Sequence, residues 1–441
     1  MVGVIAKREI LESLKSAKFL IGLLVALAIG AAATVINAQD YKQRQGDFAA
    51  AREELKGNKF DVQIYRPPEV LSILVQGKDR VLGSRASVNY LSIPDRLSGF
   101  ATGGTAERQR SLSGFGSVDF SFLVRVVLSL MIVFLAYNAV AEEKANGTLK
   151  LSLANAVPRH HILLGKLAAG LVVALGSLLA AAAVSLFILL VQPSVRITGG
   201  DWSRIGGLLL VSAAYLSVFY ALSLLVSTLV RRPPIALLVL LQLWIFLVVI
   251  YPHLGVDIAE RAYRLPTDRE LAQMRQSALG ADQAEFKRVR DAFLGGDRSN
   301  ETYARYVELQ AQNSRAEYEV NRDFGRRLSG QLSLANALCV LSPAALYDRA
   351  AERYARTGID AYDRFMASLA RYWETKYLDL QRLRFKDMAA FRAAPIPSFD
   401  DPPEPAANAW AGTMPRLLIL ILMGIALFAA STTAFLKKDV R

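Results

Sequence analysis

The chain has 441 residues, 53% of them hydrophobic, a mean hydropathy of +0.27 and a formal charge of +13. Its single cysteine, Cys339, excludes an internal disulfide, and His160, His161 and His253 are too few and too scattered for a metal site. The basic excess lies largely in short segments beside apolar runs, so it does not point to nucleic acid as a partner.

Residues 3–16, GVIAKREILESLKS, place Val4, Leu11 and Leu14 on one helical face and Glu9 and Ser13 opposite. Lys7 and Arg8 flank the apolar face, at positions from which they can snorkel to lipid phosphates. The segment 1–18 is therefore expected to be an amphipathic helix on a membrane surface, the alternative being a solvated lead-in. With Glu9 and Glu12 it is too acidic for a signal-peptide leader, so the first apolar run, 19–38, is expected to stay as a span.

Six such runs are long and apolar enough for a bilayer core of about 30 Å: 19–38, 118–140, 163–192, 205–230, 235–251 and 415–436. The third carries no charge between Leu167 and Val195, and is expected to tilt, bend near Gly170 or Gly176, or protrude. The fifth is short and is expected to run about a turn further. Arg125 is the one ionised side chain well inside a span, either a functional charge or one that snorkels or pairs with Asp119.

Lys/Arg bias orients the spans. With the N-terminus inside, the inner segments 1–18, 141–166, 231–234 and 437–441 carry 13 basic and 5 acidic residues, net +8. The other side carries 39–117, net +3, and 257–412, net zero. Both termini are thus expected in the cytoplasm.

The first outer insertion, 39–117, begins as a polar helix. VLSILVQGKDRVLGSRASVNYLSI within it suits short strands or hairpins, and SGFATGGTAERQRSLSGFGS suits a loop. The second, 252–414, reads as charged helices at 268–294 and 301–331. An apolar stretch at 331–346 is too short to span, and is expected against the membrane or in a local core. An aromatic amphipathic region at 346–394 follows, then a Pro-rich return linker to the last span. Trp202 and Trp410 stand where interfacial anchors belong. The fold class is an all-α membrane protein: six transmembrane helices, an N-terminal interfacial helix and two extracytoplasmic insertions, the second largely helical.

No phosphate-binding loop occurs, since Gly165-Lys166 is followed by Leu167, and neither H-E-x-x-H nor a nucleophile elbow is present. The chain is therefore not expected to be an enzyme by itself. Residues 142–166, EEKANGTLKLSLANAVPRHHILLGK, interrupt the apolar pattern between the second and third spans. Their histidines are adjacent and point about 100° apart on a helix, which disfavours shared metal ligation.

This stretch resembles the inner loop after the second span of ABC-2-type permeases, the membrane subunits of ATP-binding-cassette exporters. The resemblance rests on Glu143, Gly147, Thr148, Leu149, Pro158, Arg159, Gly165 and Lys166, in order and between two spans. It departs from the family pattern at Asn138, Glu142 and Ala145. The 252–414 insertion is similar to a subgroup with a large extracytoplasmic domain of unknown function between the fifth and sixth spans.

The resemblance implies a cytoplasmic coupling loop, 141–162, with a short helix over TLKLSLANAV seated on a cytoplasmic ABC ATPase dimer. Pro158 would end that helix or begin the next, and Glu143 and Lys144 would make salt bridges between subunits. Arg159 and Lys166 would bracket the membrane entry and meet phosphates or acidic ATPase side chains. It further implies a second permease chain, identical or not, contact with membrane lipid, a bacterial inner-membrane location and an extracytoplasmic partner protein. No cofactor is expected in this chain, ATP and Mg being bound by the ATPase. Export of a substrate is the leading expectation, and force transmission without transport the alternative. A secondary transporter would need mid-membrane charges and half-repeats, and only Arg125 fits.

Overall fold

The computed structural model describes residues 2–54, 59, 61–79, 85–89, 118–148, 158–279, 283–297, 299–399, 401 and 404–437. The Gly/Ser-rich stretch before residue 118 and most of TLKLSLANAV lie outside these. Helix α1 (Val2–Lys15) turns at Ser16 into α2 (Ala17–Glu54). Ser16 makes that corner, its hydroxyl donating to the Ser13 carbonyl at 2.8 Å and accepting from the Phe19 N–H at 3.2 Å.

The other apolar helices are α3 (Phe120–Ala145), α4 (Arg159–Val191), α5 (Gly199–Leu229), α6 (Pro233–Ala262) and the last, Ala406–Lys437. With α2 they make six helices long and apolar enough to cross a membrane. At about 1.5 Å per residue each exceeds the hydrocarbon core, so each runs on into the interfacial layer or beyond. α4 is one continuous helix of 33 residues. α3 and α6 each contain a π-helical stretch, Leu123–Leu128 and Phe246–Ile250, where one residue too many for α-helical spacing is accommodated.

α5 is the hub: two-thirds (67%) of its most apolar window is buried, against 17% for the last helix. In lipid, apolar burial no longer drives helices together, so close packing and polar contacts must do so. Gly22 lets α2 approach Met131, and Gly30 lets it approach Leu123. The Thr34 and Ser185 hydroxyls meet at 3.1 Å between α2 and α4. Apolar side chains such as Leu24, Ile36, Phe187, Leu238, Leu422 and Ile425 remain outward-facing, a surface suited to lipid.

Between α6 and the last helix run α7 (Asp268–Ala278), α8 (Gln283–Leu294), α9 (Asn300–Leu338), α10 (Pro343–Ala355), α11 (Ile359–Tyr372), α12 (Leu378–Lys386) and α13 (Met388–Ala393). The last apolar helix is α14 (Ala406–Lys437). Thr267 and Glu270 form a capping box that starts α7, and Ser342 caps α10 with Pro343 in its first turn. The 331–346 stretch spans the end of α9, a short 3-10 turn and the start of α10, and Cys339 in the turn is buried against the Pro252 carbonyl.

The aromatic pattern of 346–394 is a core pattern. Tyr347, Tyr354, Tyr362, Phe365 and Tyr377 are all fully buried. Strands β1 (Asp61–Tyr65) and β2 (Arg85–Asn89) pair antiparallel, with Ile64 opposite Ala86 and Val62 opposite Val88. Their period of two puts these four residues on one face, which packs on Tyr362, Phe365 and Leu369 of α11. The stretch expected to hold strands supplies only β2 among the described residues; β1 lies before it, and Val70–Ile73 form a 3-10 turn.

Candidate functional site

The candidate residues gather at the end of the bundle opposite the insertions, where α1, the end of α3, the start of α4 and the end of α5 meet. α3 loosens into a turn at 137–140 and then makes one more helical stretch, Ala141–Ala145. The two N–H groups released there, of Val140 and Ala141, both donate to the buried Ser227 hydroxyl of α5, at 2.9 and 3.0 Å. A buried amide without an acceptor costs about 1–3 kcal/mol, so Ser227 fixes where this segment sits. The Lys144 ammonium donates to the Thr228 carbonyl, and Asn138 to the Glu142 carboxylate.

Gly147 ends the segment with φ +73°. Nothing surrounds the place a Cβ would occupy, so backbone conformation, not space, demands glycine here. The Thr148 hydroxyl donates back to the Glu143 carbonyl at 3.3 Å. Leu149 and the Arg159 side chain lie outside the described residues. Pro158 is the N-cap of α4 at ψ 131°, so it opens the next helix.

Lys166 is the centre of the site. It is 2% exposed, and its ammonium lies 2.6 Å from Glu9 of α1 and 2.9 Å from Glu143. Three segments distant in sequence are thus joined through one cation. α1 reaches Lys166 because Gly165 has no side chain: a Cβ there would come 2.7 Å from Ile5. The opposite face of α1 exposes Val4, Leu11 and Leu14, an arrangement suited to lying on lipid. One turn beyond, the Tyr220 hydroxyl donates to the Lys166 carbonyl at 2.8 Å.

Glu143 and Lys144 both have partners within their own chain, Lys166 and the Thr228 carbonyl. Lys166, enclosed by two carboxylates, does not present its charge at the surface. His160 is exposed and its ring centroid is 4.4 Å from that of the half-buried His161.

Arg125, at the other end of the bundle, pairs with Asp348 of α10. The expected partner, Asp119, is used otherwise: its carboxylate accepts from Phe122 N–H at 2.7 Å and Gln76 N–H at 2.9 Å, capping α3. Arg125 lies within the π-helical stretch, and its carbonyl accepts from the Tyr215 hydroxyl at 2.8 Å. Ser129, Tyr215, Ser227 and Asp348 were not singled out from sequence. Lone serines and tyrosines in apolar helices give no signal until their partners are known.

Six membrane-length apolar helices, with a polar segment between two of them that is tied to its neighbours, define a multi-pass membrane protein. The family model of the ABC-2 family transporter protein matches residues 3–440, and the chain belongs to that family. It is also similar to the probable ABC transporter permease protein NosY of Pseudomonas aeruginosa, 36% identical over 119 residues, which cover 25% of this chain. The match spans 43% of that relative's length.

Proposed function

We propose that this chain is the permease subunit of an ABC transporter, coupled to a separate cytoplasmic ATPase through residues 141–166. The observation that carries this reading is the buried Lys166 with its two carboxylates. A loop that merely reverses the chain needs no such brace, whereas one that receives force must be tied to the helices it moves. Here the brace links the loop to α1, α4 and, through Ser227, α5.

The net charge of +8 on the loop side supports a cytoplasmic position for both termini, with the insertions outside the membrane of a bacterial cell. In this reading Gly147, Thr148, Leu149 and Arg159 form the docking surface. Glu143 and Lys166 act behind it as a transmission joint, and ATP and Mg stay on the ATPase. A second permease chain would cover part of the outward apolar surface and lipid the rest, and the substrate would cross between the two chains.

A second reading, force transmission to an extracytoplasmic partner without transport, is favoured by one observation. Glu404, before α14, lies within 3.8 Å of Arg204 of α5, 3.1 Å of Arg353 and 2.9 Å of Arg364, tying the large insertion firmly to the bundle.

The test is co-purification of the ATPase from native membranes with the tagged chain, for wild type and for Gly147→Val, Leu149→Asp and Arg159→Glu. Each substitution is expected to reduce ATPase recovery about tenfold or more, by loss of a turn conformation, an apolar contact or a charge. Undiminished association and stimulated hydrolysis in all three would remove the docking surface from 141–166.

A further inference from the structure

Where α14 begins, a cavity of about 210 Å³ lies between the bundle and the 252–414 insertion. Lys78, Arg349, Arg353, Arg356, Arg364 and Arg416 line it, against three carboxylates, Glu260, Glu352 and Asp360. Half of these cations are committed elsewhere. Arg353 pairs with Asp360 and Glu404, Arg356 with Glu69 and Asp201, and Arg364 with Glu404.

The other three are not. Among the described residues, no carboxylate lies within 4.0 Å of Lys78, Arg349 or Arg416. Arg416 donates only to a carbonyl of its own helix, that of Gly412, at 2.7 Å. The Nε–H groups of Arg353 and Arg356 are buried without an acceptor. Burial and the neighbouring Arg416 charge both pull the Arg349 guanidinium below its ordinary proton affinity. A cavity that gathers guanidinium groups from α10, α11 and α14 in excess of its carboxylates, with donors to spare, is well matched to an anion.

We infer that this cavity is a binding site for a phosphate group, with Arg349 and Arg416 as its principal ligands and Lys78 at its rim. Phosphate is preferred to a carboxylate because Arg349 of α10 and Arg416 of α14 bring two guanidinium groups, and a phosphate has more oxygens to share between them than a carboxylate. The volume admits one such group. Val256 of α6 also lines the site, and the membrane surface is expected at this level, so a phospholipid headgroup and a free phosphate ester share the required chemistry.

Glu352 supplies a dependence on pH. Burial pushes its carboxyl up to about 7, with Asp348 and Asp119 acting in the same direction and Lys78 and Arg349 against it. Asp348 is itself neutralised by Arg125. As pH falls through about 7, Glu352 takes a proton and the cavity gains positive charge, so anion affinity rises.

The test uses the full chain in phosphatidylcholine nanodiscs. Calorimetric titration with inorganic phosphate reads a free-anion site. Native mass spectrometry of nanodiscs doped with phosphatidylglycerol reads a headgroup site. The wild type is expected to bind phosphate saturably or to retain phosphatidylglycerol over phosphatidylcholine. R349Q/R416Q is expected to weaken that binding about tenfold or more. E352Q, which leaves the arginines in place, should bind phosphatidylglycerol, whose phosphodiester does not titrate near pH 7, more tightly at pH 8 and lose most of the pH dependence seen with that lipid. Should the double variant fail to fold, K78Q gives a smaller loss at an exposed position. Wild-type chain that binds neither probe, or variants that bind as wild type does, would overturn the inference. None of these readouts involves the ATPase, so the coupling role stands or falls separately.

Discussion

Lys166 shows how a single side chain can do work that its sequence position conceals. A lysine at the foot of an apolar helix is ordinarily a snorkelling cation in water or lipid headgroups. This one is 2% exposed and compensated by Glu9 and Glu143, which come from 157 residues before it and 23 before it. Lys166→Met removes both ion pairs and leaves two partly exposed carboxylates facing each other. A fully buried pair would lose about 3–5 kcal/mol. With the carboxylates partly hydrated the expected cost is about 1–3 kcal/mol, read as a lowered thermal midpoint in detergent. Protease cleavage between α1 and α2 should rise in parallel, because α1 loses its polar attachment. Unchanged cleavage would mean that the Ile5–Gly165 contact alone holds α1. Charge and motif order marked Glu143 and Lys166 in the sequence as important. That they meet Glu9 was not legible, since an i to i+157 pairing leaves no periodicity to read.

Among the helices, the apolar runs were legible because bilayer thickness sets a length that composition alone reveals. What joins them was not. Gly170 is a place where α4 could bend, and it also serves as a landing for Tyr220, whose ring would be 1.8 Å from a Cβ there. Gly170→Ala must push α5 away from α4, and overpacking of this kind costs about 1–3 kcal/mol. Truncating the partner should relieve it: Gly170→Ala with Tyr220→Ala is expected to be little less stable than Tyr220→Ala alone. Thermal unfolding of the four-member cycle checks this, and strict additivity would show that the two residues do not oppose each other. The π-helical stretches in α3 and α6 were likewise hidden, since one extra residue in an apolar run changes neither its length class nor its hydropathy. In the insertion the aromatic period at 346–394 was visible, but its partner was not. The hydrophobic face of β1 and β2 is only four small or branched residues, too brief to announce a sheet.

Taken as one body, the molecule is braced by charge at both ends of its apolar bundle. At the loop end Lys166 gathers α1, the end of α3, and α4. At the insertion end Arg125 of α3 holds Asp348 of α10, while Glu404 gathers Arg204, Arg353 and Arg364. α3 and α5 both reach from one end to the other, so in the proposed coupling a push on the loop has two routes to the insertion, along α3 to Asp348 or along α5 to Glu404. An element held by a joint at each end conveys motion; the same element with one joint removed slides past its neighbour. Asp348→Asn weakens the far joint and leaves the near one untouched. In the proposed complex with an ATPase, association should be preserved, while the nucleotide-dependent change in distance between spin labels at exposed positions 312 and 254 should shrink. The exchanged pair Arg125→Asp with Asp348→Arg restores opposite charges and is expected to recover part of the change, although each side chain then meets an altered surrounding. If Asp348→Asn reports the full nucleotide-dependent change, the route from loop to insertion runs through α5 and Glu404, and Arg125 serves only to seat α10.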